Sequence, residues 1–321
     1  MSVHHRFPVL ASLAAVLALA GGSMAAAQGT PAAQPAAPTK PWSQMTSAEL
    51  IAAAPAEAWR DLDPARLMVL RFIPAGQTEA VQVVTLLAPQ FAPDHVTTLA
   101  GLLNLSFFDG RSIVRSQENY VAQWGDGEAA GAAGLRGSAI PAEFDAAIPA
   151  GFDPVVLPDG DVYAPQVGFW QGWPVAWDPA AGRMWLPHCY GMVGAGRGNG
   201  ADSGGPAELY AVNGHSPRAL DRNVTLLGRV VLGMEHLTTL PRGTEALGFY
   251  GPAQTRPQIV SARLASQLPP EEQPRLQALD TSHPIYAELL ESRRNRRDGW
   301  TLHRAGRLEI CNAPLPVRAA P

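Results

Sequence analysis

Residues 107–126 place a cation close to an apolar surface and an amide. Arg115 lies shortly before Tyr120, Val121 and Gln123, in a region that is typical of consecutive strands. A guanidinium, an apolar wall and a carboxamide on neighbouring strands can hold a carbonyl group beside an apolar ring. The stretch contains no strong nucleophile, metal-ligand set or phosphate-binding loop. It therefore predicts chemistry that polarises and shapes a substrate without covalent attack.

The surrounding residues predict the elements that must position this stretch. Two apolar runs, residues 67–73 and 81–87, flank an Ala-Gly turn and indicate a β-hairpin. Asp94 can cap a helix over residues 95–105, where apolar residues recur at helical spacing. Further strands are predicted at residues 112–114, 120–123, 192–195, 208–213 and 225–232, a second helix at 233–240, and a loop over the Gly/Ala-rich residues 126–137. Many short strands with two helices favour a mainly β fold, a closed antiparallel barrel capped by helices.

Two segments lie outside this plan. Residues 147–190 form a long insertion that carries Trp170, Trp173, Trp177 and Trp185. We expect these side chains to cover a core, because tryptophan buries a large apolar area, although stacking on a peptide or glycan is the alternative. Residues 244–321 form a C-terminal extension packed on the barrel, with a strand predicted at 258–264, a helix at 284–297 and a strand at 307–311.

The N-terminal residues predict export. Residues 1–27 combine a weakly basic start, an apolar run and small residues before Gln28, as in a secretory signal peptide. The Ala/Pro-rich residues 28–42 are expected to form a disordered linker. The mature protein should therefore be periplasmic or secreted. In that oxidising compartment Cys189 and Cys311 either form one disulfide or remain two buried thiols, and the sequence leaves both open.

Composition argues against several other classes of function. A net charge of −4 gives no basic footprint for nucleic acid. No segment after the signal peptide is long and apolar enough to span a bilayer. The eight histidines show no metal-ligand spacing, so we expect neither a metal nor another cofactor. The oligomeric state stays open.

Four blocks of the sequence, in order and at compatible spacing, resemble the cyclophilin family of peptidyl-prolyl cis–trans isomerases. Within residues 95–126 the chain is similar to the family's helix, F-Y-D-G turn, F-H-R strand and F-M-x-Q-G-G-D strand. Residues 191–197, 208–210 and 220–234 resemble G-x-x-x-M-A-R/N, Q-F-F and L-D…F-G-x-V-x-x-G-M. The resemblance covers about residues 67–240, within a cyclophilin-like domain that we assign to residues 43–243.

The resemblance implies an eight-stranded antiparallel barrel closed by two helices, with an active site on its outer face for proline-containing polypeptides. It implies that Arg115 holds the prolyl amide and that Gln123 binds a peptide backbone group. The implied substrate-binding residues are Tyr120, Val121, Gly194, Ala195, Gly196, Glu208, Tyr210, Ala219 and Leu220.

Four positions depart from the family's pattern. Glu208 stands where the family has glutamine, Val121 where methionine is common, Ala219 where tryptophan is frequent and Val224 where histidine is frequent. This altered wall predicts low activity or an unusual substrate range. A non-catalytic peptide-binding or chaperone module on the same barrel is therefore the main alternative.

A second alternative is a serine hydrolase that uses Ser203. Residues 202–206, Asp-Ser-Gly-Gly-Pro, match the surroundings of the nucleophile in trypsin-like serine proteases. The order of catalytic residues does not match, however, because His188 lies too close in sequence to Ser203 and His95 falls on a predicted helix.

Overall fold

The computed structural model describes residues 40–134 and 139–321, so the predicted signal peptide and nearly all of the predicted linker lie outside the described residues. The described strands are β1 (Trp59–Asp61), β2 (Leu67–Ile73), β3 (Val81–Leu87), β4 (Ile113–Ser116), β5 (Val121–Gly125), β6 (Ala146–Ala147), β7 (Val155–Val156), β8 (Gln166–Trp170), β9 (Trp173–Asp178), β10 (Arg183–Trp185), β11 (Met192–Ala195), β12 (Glu208–Val212), β13 (Leu226–Leu232), β14 (Gln258–Leu264), β15 (Leu276–Leu279) and β16 (Val317–Ala319). The described α-helices are α1 (Ser47–Ala53), α2 (Pro93–Asn104), α3 (Gly127–Ala132), α4 (Met234–Thr238) and α5 (Pro284–Arg294). No helix in these two ranges is long and apolar enough to cross a membrane.

Eight antiparallel strands form the largest sheet, in the order β14-β2-β3-β13-β11-β12-β5-β4. The sheet nearly closes on itself, because a bridge joins Ser112, just before β4, to Gln258 at the start of β14. The Ile113 N–H also donates to the Pro257 carbonyl oxygen at 3.0 Å. The prediction of a mainly β barrel is confirmed. β14, which lay within the predicted C-terminal extension, is an edge strand of this barrel sheet.

Inward-facing side chains fill the barrel, and two helices close it. Phe72, Trp124 and Leu227 from three different strands belong to one buried core. Leu99 of α2 and Leu237 of α4 are fully buried in the same core. Both helices expected to cap the barrel are therefore present, at the positions that the apolar spacing predicts.

Two local details differ from the sequence-based expectation. Asp94 is not the cap of α2; the carboxylate of the distant Glu143 accepts the N–H groups of Asp94 and His95 at 3.0 and 2.9 Å, which satisfies amides that a helix start leaves free. The segment predicted as a Gly/Ala-rich loop contains α3. Its start is stabilised by Asp126, which accepts the Ala129 N–H at 2.8 Å.

The insertion forms a five-stranded sheet of its own, in the order β6-β10-β9-β8-β7. One face, with Trp173 and Trp177, packs against the outer surface of β2 and β3. The other face, with Phe169 and Trp185, packs against α1 and α5. The expected burial is confirmed for Trp173, Trp177 and Trp185, whereas Trp170 is only half-buried.

The C-terminal extension covers the far side of the insertion sheet. There β15 pairs with β1 and β16, and α5 packs against α1. The strand predicted at residues 307–311 is wrong: a 3₁₀ helix forms at Ile310–Asn312, where the Glu309 carboxylate accepts the Cys311 N–H at 2.9 Å. Cys189 and Cys311 form a disulfide, which ties the extension to the chain just before β11.

Candidate active site

The antiparallel pair β4–β5 sets the relative position of Arg115 and Gln123. The two residues lie opposite each other in the ladder, after a bulge between Ile113 and Arg115. Their side chains therefore leave the same face of the sheet. Arg115 Nη1 donates to Gln123 Oε1 at 3.1 Å. The structure thus brings together the two residues that were predicted to be catalytic.

Three acceptors hold the Arg115 guanidinium in place. Besides the bond to Gln123, Nε donates to the Leu247 carbonyl oxygen at 2.6 Å and Nη2 donates to the Gln117 side chain. The guanidinium carbon lies 5.4 Å from the centre of the Tyr120 ring, a cation–π contact. Partial burial lowers the pKa of Arg115, but an arginine keeps its charge at neutral pH. Since arginine has five N–H donors, about two remain for a substrate once these three bonds within the described structure are made.

An open cavity of about 250 Å³ lies beside this guanidinium. We call it the proline cavity, after the ring that the family resemblance predicts it to hold. The predicted site residues that line it are Arg115, Tyr120, Val121, Gln123, Gly196, Tyr210 and Leu220. Arg197 and Val224 complete the lining. A fixed cation beside apolar side chains can hold an uncharged amide next to an apolar ring.

Gly194, Ala195 and Ala219, also predicted to bind substrate, do not line this cavity. Gly194 and Ala195 are buried within β11. A Cβ atom on Gly194 would come within 2.4 Å of Tyr210 Oη, so this glycine makes room for the phenol and does not itself contact a ligand. Ala219 is exposed on a short 3₁₀ helix, and its methyl group does not reach the cavity.

Glu208 lies at the start of β12 and lines a neighbouring cavity of about 510 Å³. Its carboxylate accepts a hydrogen bond from Gln123 Nε2. Arg115, Gln123 and Glu208 therefore form one continuous chain of hydrogen bonds. Glu208 also places a negative charge near Arg115 that a glutamine would lack. This charge weakens the net electrostatic attraction of the site for a substrate oxygen.

A buried polar network holds Tyr210 behind the proline cavity. Tyr210 Oη lies 3.0 Å from His188 Nε2, and His188 Nδ1 lies 3.1 Å from Asp221 Oδ1. Arg218 donates to Asp221 at 2.6 Å and to Asp161 at 2.8 Å. If the histidine Nδ1–H donates to the carboxylate, Nε2 accepts the tyrosine proton. Burial raises the pKa of Tyr210, so the phenol stays neutral and fixed in orientation.

Tyr210 and Asp221 lie in motif blocks, but nothing in those blocks indicated that His188 joins them in a network. His188 and Asp221 are 33 positions apart in the chain, and only the packing of the insertion brings them together.

Arg197 lines the proline cavity but was not among the predicted site residues. It stands at the R/N position of the second motif block, and that position could have indicated it. Its Nε donates to the Asn223 carbonyl oxygen at 2.7 Å, so its stem forms one rim of the proline cavity.

Ser203 has no histidine partner in the described part of the chain. Its hydroxyl donates to the Gly200 carbonyl oxygen. His188 is bonded to Asp221 and Tyr210, and the ring of His95 lies 2.7 Å from a Glu143 oxygen. Within residues 40–134 and 139–321, no group of three or more His, Cys, Asp or Glu side chains is arranged to hold a metal ion.

Comparisons with known proteins agree with the geometry. The profile of the family described as cyclophilin type peptidyl-prolyl cis-trans isomerase/CLD matches residues 75–263, more than half of the chain. The fold is similar to that of cyclophilin AquaCyp293 from Hirschia baltica, with a TM-score of 0.63 and 24% identity, over 82% of this chain and 94% of that one. A cyclophilin type isomerase from Cryptosporidium parvum, crystallised in the presence of the dipeptide Ala-Pro, is more distant, with a TM-score of 0.37 and 11% identity over 61% of this chain and 98% of that one. None of the curated proteins compared with this chain matches it.

Proposed function

The chain belongs to the cyclophilin-type peptidyl-prolyl cis–trans isomerase family, and we propose that it speeds rotation about X-Pro bonds in exported proteins and so assists their folding. Amide resonance sets a barrier of about 18–20 kcal/mol to this rotation, and the uncatalysed step takes tens to hundreds of seconds. A twisted amide has lost its resonance, which leaves a more basic nitrogen. A surface that binds the twisted form more tightly than the planar one lowers the barrier without breaking a bond.

Arg115 supplies the electrostatic part of this mechanism. Its guanidinium is held by three acceptors before a substrate arrives, so its remaining N–H donors need no reorganisation when the amide twists. Donors fixed in this way stabilise charge that develops during rotation. Gln123 binds a backbone group of the peptide, while Tyr120 and Val121 hold the proline ring and let the other half of the amide turn.

This proposal rests on one observation: seven of the predicted site residues line the proline cavity. Arg115 comes from β4, Val121 and Gln123 from β5, Tyr210 from β12 and Leu220 from a 3₁₀ helix before β13. Residues so far apart in sequence meet at one open surface only in the folded barrel. The surface offers a cation, an amide and an apolar wall, the set that the twisted amide requires.

Two features support substrates outside the cytoplasm. The Cys189–Cys311 disulfide is typical of proteins that fold in an oxidising compartment. Residues 1–27 have the pattern of a secretory signal peptide. N-terminal sequencing of the exported protein should then begin at Gln28. Recovery of the chain only in the cytoplasm, with Met1 retained, would contradict the exported location.

The decisive experiment measures isomerisation of a short Ala-Pro peptide by NMR exchange spectroscopy. We expect Arg115→Ala to lower kcat/KM about 10²- to 10³-fold, because removing one preorganised donor in an active site has effects of this size. Arg304→Ala is the matched control, since Arg304 is exposed and does not line the proline cavity. Wild-type protein without a rate above background, or an Arg115→Ala variant with full activity, would refute the proposed mechanism.

A non-catalytic peptide-binding module is the second candidate. It is favoured by Glu208, whose charge opposes that of Arg115, and by the three acceptors that already occupy the guanidinium. A binding module would hold an unfolded proline-containing polypeptide equally well with or without Arg115. Titration of such a polypeptide into wild-type protein and Arg115→Ala, alongside the rate assay, separates the two functions.

A further inference from the structure

Arg229 is a buried arginine without an acidic partner among the described residues. It lies on β13 and is only 7% exposed. Its one hydrogen bond in the described structure runs from Nη1 to the Leu315 carbonyl oxygen, at 3.5 Å, the outer limit for such a bond. Nε has no partner among the described residues. The ring centre of Trp173 lies 5.9 Å from the guanidinium carbon.

The burial of Arg229 is a consequence of the insertion and the extension. Arg229 pairs in register with Leu86 and Met192, both of which belong to the core outside the barrel. An arginine on the outside of a barrel would ordinarily extend its charged end into water. Here Trp173 of the insertion and Leu315 of the extension cover it.

The same molecule shows how a buried arginine is usually compensated. Arg218, which is 4% exposed, donates to two aspartates, Asp161 and Asp221. No carboxylate of the described residues lies within ion-pair distance of Arg229, and its burial lowers its pKa to about 10. The charge persists at neutral pH, and an uncompensated buried charge is costly. Arg229 therefore has no counter-charge among the described residues, and an anion bound beside it would supply one.

A cavity of about 460 Å³ opens beside Arg229, within the size range of small-molecule sites. Half-buried Trp170 provides an aromatic surface, and Thr281 and Ser282 add hydroxyl groups. This cavity shares no lining residue with the proline cavity. It lies between β13 of the barrel, the insertion sheet and the β1–β15 layer, so its walls come from three parts of the chain.

The other charges that line this cavity disfavour a ligand with more than one negative charge. Its remaining ionisable lining residues are Arg60, Asp61, Asp63, Arg66, Asp153 and Asp280. Asp280 is paired with Arg60 at 2.8 Å, and Asp61 accepts a hydrogen bond from Gln277 at 2.8 Å. The aspartates would repel a phosphate dianion more than a monocarboxylate. The guanidinium fork also matches the geometry of a carboxylate.

We propose that this cavity binds a small monocarboxylate with an aromatic or aliphatic body, its carboxylate paired with Arg229 and its body against Trp170. The site is separate from the isomerase site and does not depend on it. A flat aromatic acid satisfies both parts of the cavity, since it has one carboxylate and one apolar ring.

The test uses the full mature chain and 4-fluorobenzoate as the probe, followed by fluorine NMR. We expect saturable binding of 4-fluorobenzoate, and at least about tenfold weaker binding of neutral 4-fluorobenzyl alcohol, because hydrogen bonds to a charged group contribute about that much. This comparison needs no variant. Absence of saturable binding, or equal binding of the two probes, would overturn the proposal.

Variants then locate the binding. Arg229→Met should weaken 4-fluorobenzoate binding about 10- to 100-fold, and Trp170→Ala should weaken both probes. Arg304→Gln is the control, because Arg304 is exposed and does not line this cavity, and it should bind 4-fluorobenzoate as the wild type does. Unchanged binding in folded Arg229→Met would place the ligand elsewhere. Inorganic phosphate that displaces the probe more strongly than acetate would contradict the assignment of a monocarboxylate.

Discussion

Arg115 and Arg229 both lie on strands of the barrel sheet, and burial lowers the pKa of each, yet their surroundings differ. Arg115 donates to Leu247, Gln117 and Gln123, and it borders an open cavity. Arg229 is more deeply buried and makes a single long hydrogen bond to the described residues. One guanidinium is held in place by the protein, whereas the other keeps most of its donors free of partners in the described part of the chain.

This difference bears on what each arginine can do. A guanidinium that the fold holds in place can act on a substrate without first being ordered, as catalysis by electrostatic preorganisation requires. A guanidinium without partners gains most when an anion arrives, because the ligand then supplies the missing acceptor. Arg115 therefore suits a transient, uncharged amide, and Arg229 suits a bound carboxylate.

Loss of the disulfide is expected to have the largest effect and to act on one region alone. Cys311 lies close in sequence to Leu315, which covers Arg229, while neither cysteine lines the proline cavity. The double variant Cys189→Ala/Cys311→Ala should lose about 2–5 kcal/mol of unfolding free energy, since the bond closes a long loop. Its kcat/KM on the Ala-Pro peptide should stay at the wild-type value. Urea denaturation and the exchange assay measure the two quantities.

Wild-type protein in a reducing buffer is the natural control for this prediction, and it should match the double variant in stability. A parallel loss of isomerase activity would show that the extension also supports the proline cavity, and the two regions could no longer be treated separately.

Much of the barrel and of the proline cavity could be predicted, because both depend on local patterns. Two apolar runs around an Ala-Gly turn predicted the β2–β3 hairpin, and the motif blocks selected Arg115, Gln123 and Tyr120, which the barrel brings to one surface. Gly194 was harder to interpret, since its role depends on the phenol of Tyr210 from the neighbouring strand. A motif marks a position without showing what the residue touches.

The second region could not be predicted, because it depends on contacts between distant segments. Arg229 looks like an ordinary outward-facing strand residue until Trp173 and Leu315 cover it. The bond between His188 and Tyr210 likewise requires the insertion to be in place. Periodicity carries no information about which segment packs on which face, so burial of a polar side chain beneath an insertion leaves no mark in the sequence.

Replacing each of the two arginines by methionine compares their contributions to stability. The expected change in unfolding free energy is smaller than that for loss of the disulfide. Arg229→Met should raise the unfolding free energy by about 1–3 kcal/mol, because an uncompensated buried charge is replaced by an apolar side chain of similar length. Arg115→Met should not raise it, since it removes three hydrogen bonds that stabilise the folded state. Urea denaturation measures both changes, provided that the unfolding free energy falls with urea concentration at the same slope in each protein. A loss of stability in Arg229→Met would mean that the guanidinium is already compensated without a ligand.

The smallest expected effect is a pH dependence that belongs to the network behind the proline cavity. Burial alone would raise the pKa of Asp221, but the hydrogen bonds from His188 and the charge of Arg218 lower it overall. The carboxylate therefore contributes stability that is present above its unfolded pKa of about 3.9. That contribution to stability is lost as the pH falls through the lower pKa that Asp221 has in the folded protein. Arg229 keeps its charge throughout this range, since its pKa is about 10.

Carbon NMR titration of the Asp221 carboxyl group, with unfolding free energies measured from pH 7 downward, checks this sign. The folded pKa should lie below the unfolded one, and the Asp221→Asn variant should lose the matching part of the acid-induced destabilisation. A folded pKa above the unfolded value would reverse the slope. Desolvation would then outweigh the contacts to His188 and Arg218, and the network that holds Tyr210 would be as poorly compensated as Arg229.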